Sequence, residues 1–138
     1  MKLRWFFVTV ALLFLVVAGC TKDENASLKT VPVVGKLTER GGKEVTGGML
    51  EFRPAGDAKE GNGRADVGPG GSFSAKTLTR KKPKDGLTPG NYQVSYFPTT
   101  GGDQIVEPFL FDGELTVPAG GFTDANPLKL ELPFSKKK

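Results

Sequence analysis

The sequence predicts an all-β domain, an antiparallel β-sandwich of about seven short strands. Beyond residue 30, the glycines and prolines, 19 and 10 of them in the 138-residue chain, cut it into runs too short for a helix. Within those runs apolar residues recur at every second position, the period of a strand with one buried face. Glycine-bearing segments between the runs supply the positive φ that tight reversals demand.

Residues 31–38 place Val31, Val33 and Leu37 on one parity. The segment Glu39-Arg40-Gly41-Gly42-Lys43 turns the chain, and residues 48–53 follow with Leu50 and Phe52 alternating against Met49, Glu51 and Arg53. These two runs are expected to pair as a first hairpin. Residues 63–67 are expected to pair with 72–78 through Gly68-Pro69-Gly70-Gly71. Residues 91–97 set Tyr92, Val94 and Tyr96 against Gln93 and Ser95. Residues 111–117 and 126–132 complete the set, the last with Leu128, Leu130 and Leu132 inward and Lys129 and Glu131 outward. One-faced strands must bury those faces against each other, and two packed antiparallel sheets over residues 31–134 satisfy them.

Four stretches in order carry a likeness to a known family. Val33-Val34-Gly35-Lys36-Leu37, then Val45-Thr46-Gly47-Gly48-Met49-Leu50-Glu51-Phe52, resembles the opening strands of a carboxypeptidase regulatory-like or transthyretin-like (prealbumin-like) domain. The stretch from Gly63-Arg64-Ala65-Asp66-Val67 through Gly70-Gly71-Ser72-Phe73 is similar to that family's next strand pair, and Leu87-Thr88-Pro89-Gly90-Asn91-Tyr92-Gln93-Val94 to its Pro-Gly-x-Tyr step. The chain departs at Lys43-Glu44-Val45-Thr46, at Arg64-Ala65-Asp66-Val67 and in the charged stretch Arg80-Lys81-Lys82-Pro83-Lys84-Asp85. The resemblance implies a Greek-key sandwich, and it is nearest to small bacterial lipoproteins built from a lipid-acceptor motif, a tether and one such domain.

The N-terminus has the parts of a secretory signal: Lys2 and Arg4, an apolar stretch over residues 5–18, and small residues before a cut. That stretch is shorter than the roughly 20 apolar residues of a membrane-spanning helix. Val17-Ala18-Gly19-Cys20 resembles a lipobox, which implies diacylglycerol on the Cys20 sulfur, cleavage before Cys20 and acylation of the new amine. Two or more chains hold a protein on a bilayer where one does not. The expected order is a signal peptide over 1–19, a polar tether over 20–30, the domain over 31–134 and a basic tail over 135–138. The expected location is the cell envelope, lipid-anchored through Cys20, and Thr21 in place of an aspartate favours the outer membrane.

Lys2 and Arg4 leave with the signal, reducing the 19 basic residues to 17 against 15 acidic, and Lys136, Lys137 and Lys138 account for that excess. A nearly neutral body, in a chain expected to be exported, speaks against a nucleic-acid partner, whose surface would need a clustered basic face with aromatic platforms. Cys20 is the single cysteine, so the core must hold without a disulfide.

Candidate chemistry is sparse. The chain has no histidine, hence neither the usual neutral-pH base nor the commonest metal ligand. Ser27, Ser72, Ser74, Ser95 and Ser135 sit in no motif that supplies a base or an oxyanion hole. Asp57, Glu60 and Asp66 are too few and too irregular around Gly61-Asn62-Gly63 for a calcium loop, and Glu107, Asp112 and Glu114 read as turn residues. Phe97, Phe109, Phe111 and Phe122 could stack on a sugar or anchor a protein, but core plugs are the simpler reading. Residues 80–84 could meet anionic lipid or polymer, or stand in water as a charged loop. The expectation is therefore a monomeric, non-enzymatic binding or structural accessory module without cofactor or metal, with an envelope protein or polysaccharide as partner. A carbohydrate- or peptide-gripping adhesion or carrier module and a small carboxylate-dependent hydrolase are the alternatives.

Overall fold

The computed structural model describes residues 28–56, 61–99 and 106–134. The expected signal peptide, Cys20, most of the tether, Asp57, Glu60 and the basic tail lie outside the described residues.

Among the described residues ten strands run in the order β1 (Val34–Glu39), β2 (Met49–Pro54), β3 (Gly63–Asp66), β4 (Ser72–Ser74), β5 (Lys76–Thr77), β6 (Lys84–Asp85), β7 (Gly90–Phe97), β8 (Phe109–Leu110), β9 (Leu115–Val117) and β10 (Leu128–Leu132). They form a three-stranded sheet, β10-β1-β4, and a seven-stranded antiparallel sheet, β6-β5-β3-β2-β7-β8, in which β9 also pairs with β7. The fold is all-β and sandwich-like. The alternation read from the sequence is borne out where it is longest: Leu50 and Phe52 on β2, Tyr92, Val94 and Tyr96 on β7, and Leu128 and Leu132 on β10 are buried. Phe52 and Phe73 meet between the sheets with ring centroids 6.3 Å apart.

The pairing differs from expectation in three places. First, β1 and β2 are in different sheets and make no hairpin. After β1 the chain folds back on itself, with Glu39 N donating to Lys43 O at 2.7 Å and Val45 N to Leu37 O at 3.4 Å, and Val45 enters the core. Gly47 and Gly48, at φ of 86° and 89°, then redirect it into the other sheet. A Cβ at Gly48 would stand 2.6 Å from the Tyr96 ring, so glycine alone permits the crossing.

Second, the run 72–78 is shared between the sheets. Its first part, β4, pairs with β1, and its second, β5, pairs with β3. Ala75 is the switch point, fully buried, with its N–H donating to Val33 O at 2.8 Å and its carbonyl accepting from Gly86 N at 2.9 Å. A methyl side chain is small enough to let a strand turn this corner.

Third, β10 runs parallel to β1, from Gly35 opposite Leu128 to Glu39 opposite Leu132. It arrives by a crossover over residues 118–127 from the far sheet, the kind of connection a parallel neighbour needs. Gly35 faces Phe73 across β4, and a Cβ there would collide with that ring and with Leu128 O.

Of the run 111–117 only Leu115–Val117 is a strand, and a separate short strand precedes it at Phe109–Leu110. β8 and β9 lie along the same side of β7, and the Gln93 side-chain amide spans the break by donating to Phe111 O at 2.7 Å and Gly113 O at 3.3 Å.

The two open sides of the sandwich are closed by different means. On one side backbone hydrogen bonds join the sheets, Val31 N to Leu87 O at 2.8 Å and Leu87 N to Val31 O at 3.0 Å. On the other, Phe109 of β8 lies 5.0 Å from Phe111 and 5.4 Å from Phe134, which follows β10 and is partly open to solvent, both edge-on. The edge strands are short at β4 and β6, interrupted at β8 and β9, and charged at Lys129 and Glu131 on β10, features that discourage edge-to-edge pairing.

Candidate functional site

The aromatic residues singled out by sequence do not form an exposed row. Phe109 and Phe111 belong to the closure of one sandwich side, and Phe134, to which the sequence drew no attention, completes it. Phe97 and Phe122 are half-buried. The Phe122 backbone continues the β10 side of β1, its N–H donating to Pro32 O at 2.7 Å and its carbonyl accepting from Val34 N at 3.0 Å. Tyr92 is a core residue whose hydroxyl donates to Thr88 O at 2.8 Å, tying the start of β7 to the turn before it. This gives the Pro-Gly-x-Tyr step a physical meaning.

Tyr96 and Glu39 form a buried polar corner beneath the crossing. The Tyr96 hydroxyl donates to Gly47 O at 3.0 Å, and burial, then the nearby Glu39 charge, holds its pKa above the usual tyrosine value. Lys43 Nζ stands 3.8 Å from Glu39 Oε2. The arrangement fixes the crossing at Gly47 rather than presenting a group to solvent.

The described carboxylates singled out by sequence lie on the surface. Asp66 is exposed and paired with Arg64 at 3.2 Å, and Glu107, Asp112 and Glu114 are exposed. Among the described residues no group of three or more His, Cys, Asp or Glu side chains is placed to hold a metal ion, and no helix is long and apolar enough to cross a membrane. Ser72 and Ser74 stand on the solvent side of β4, where an open depression of about 510 Å³ runs over Val34, Gly35 and Phe73 between Asp66 and Asp124. Ser72 Oγ donates to Pro69 O at 3.0 Å. The depression offers hydroxyls, two carboxylates and a sheet backbone, groups that can hydrogen-bond a ligand but supply no activated nucleophile.

The charged stretch 80–84 gains a neighbour that sequence could not supply. Lys84 Nζ donates to Leu28 O, so the segment entering the domain at Leu28 lies against this loop, and Val31 then enters the bridge to Leu87. Within the loop Thr79 Oγ1 donates to Lys82 O at 2.5 Å, and Arg80, Lys81 and Lys82 are exposed. Leu78 beside them is 45 % exposed.

Fold and surfaces together define a small all-β, two-sheet domain with residues 28–30 lying against a basic corner. No family model, no curated protein and no solved structure matches the chain.

Proposed function

We propose that the chain is a lipid-anchored bacterial envelope protein, acylated on Cys20, whose domain is a monomeric, non-catalytic binding or structural accessory module. The observation that carries this is Val17-Ala18-Gly19-Cys20 at the end of a basic-then-apolar leader, followed by a polar tether that reaches the first paired residue, Val31, eleven positions after the cysteine. The interrupted and charged sheet edges support the monomeric state. A Greek-key, transthyretin-like topology is part of the proposal. In its support, β4 returns beside β1 after β2 and β3, and the Tyr92 hydroxyl reaches back to Thr88 in the manner of a tyrosine corner. The outer membrane is the favoured location, with an envelope protein or polysaccharide meeting the depression over β1 and β4. Feeding labelled fatty acid to cells making the wild type and Cys20→Ala tests the anchor: label should enter the first and not the second. Label retained by the variant would overturn the reading.

A further inference from the structure

We infer that the corner formed by residues 28–30 and 78–84 docks on the anionic headgroups of the membrane that carries the anchor, an inference that rests on acylation at Cys20. Its basis is the meeting of two features far apart in sequence. Lys84 binds the carbonyl of Leu28, so the loop with Arg80, Lys81 and Lys82 lies beside the point where the tether reaches the domain. From Cys20 to Leu28 is eight residue steps, which span at most about 28 Å fully extended. The basic corner is thus the part of the domain held nearest the anchored sulfur.

Its charge is suited to that position. Residues 76–85 carry five cations and one carboxylate, Asp85, which faces Lys76 at 3.8 Å, and Lys29 adds a further positive charge beside the loop. Elsewhere cations and carboxylates alternate: Lys36 with Glu44 at 2.6 Å, Arg53 with Glu51 at 3.1 Å and Arg64 with Asp66 at 3.2 Å. Arg80, Lys81 and Lys82 are exposed, and Leu78 is placed to enter the headgroup boundary alongside them. Such contacts are weak singly. An anchor that already confines the domain to the surface makes them intramolecular, and several then suffice to orient it.

The test uses the full acylated chain floated with vesicles of phosphatidylcholine alone or with about 30 mol per cent phosphatidylglycerol. Trypsin cleavage after Arg80, Lys81 and Lys84 is followed by mass spectrometry. Docking should slow these cuts about tenfold on the anionic vesicles, leave them unchanged on neutral ones, and lose the protection in roughly 0.5 M salt. Lys82→Ser combined with Lys29→Ser should weaken protection without altering flotation. Equal cleavage on both vesicles, with flotation intact, overturns the docking while leaving the anchor standing. Protection by a soluble anionic polysaccharide and not by the anionic vesicles overturns it in favour of a polymer ligand. Failure to float with either vesicle, with no acyl mass on Cys20, overturns the anchoring and the docking together.

Discussion

Replacing Phe109 by alanine removes the middle ring of the closure between β8 and β10. Phe109 is half-buried and touches two other rings, at 5.0 and 5.4 Å. A fully buried phenylalanine truncated to alanine costs about 3–5 kcal/mol, so half burial leaves roughly 2. The two edge-on pairs add about 0.5–1.5 kcal/mol each beyond area. The expected loss is therefore roughly 3 kcal/mol, which in a domain of this size lowers the melting temperature by about 12 °C or more. Leu110, the next residue along β8, is 57 % exposed, and its replacement by alanine should cost less than about 0.5 kcal/mol. Urea unfolding of both variants, and of Phe134→Ala singly and combined with Phe109→Ala, gives the comparison. A coupling of about 1 kcal/mol between Phe109 and Phe134 is expected. Equal costs at Phe109 and Leu110, or no coupling, would refute the idea that these rings close this side of the sandwich.

Leu130→Asp should destabilise the domain by several times as much as Glu131→Lys, because Leu130 packs against the core while Glu131 faces water; similar melting temperatures for the two would show the β10 register to be wrong. For Tyr96, a pKa raised in the folded state means that the fold favours the protonated hydroxyl. Its contribution is fully present below the unfolded value of about 10 and is lost as pH rises through the folded value. Tyr96→Phe should accordingly cost about 1 kcal/mol near neutrality, through the lost bond to Gly47 O, and narrow that gap above about pH 10. A gap constant from neutral to strongly alkaline pH would count against the buried hydroxyl.

The sequence by itself determined which residues face inward, because alternation is a local property of the strand. Leu50 with Phe52 and Tyr92 with Val94 and Tyr96 could be assigned from period two alone, and all are buried. The lipobox likeness of Val17-Ala18-Gly19-Cys20 is legible for the same kind of reason, since it is contiguous. The choice of neighbour was not local. Inward residues on 31–38 are as compatible with β2 as with β10, and the positive φ at Gly47 and Gly48, the burial of Val45 and the small Ala75 decided between them. Nor is there any trace in sequence of the parallel course of β10, which follows from where its crossover begins. The ring contact of Phe109 with Phe134 and the bond from Lys84 to Leu28 join residues 25 and 56 positions apart. Only burial of both sheets around one core brings such groups within reach, so the basic corner beside Leu28 belongs to the tertiary structure alone.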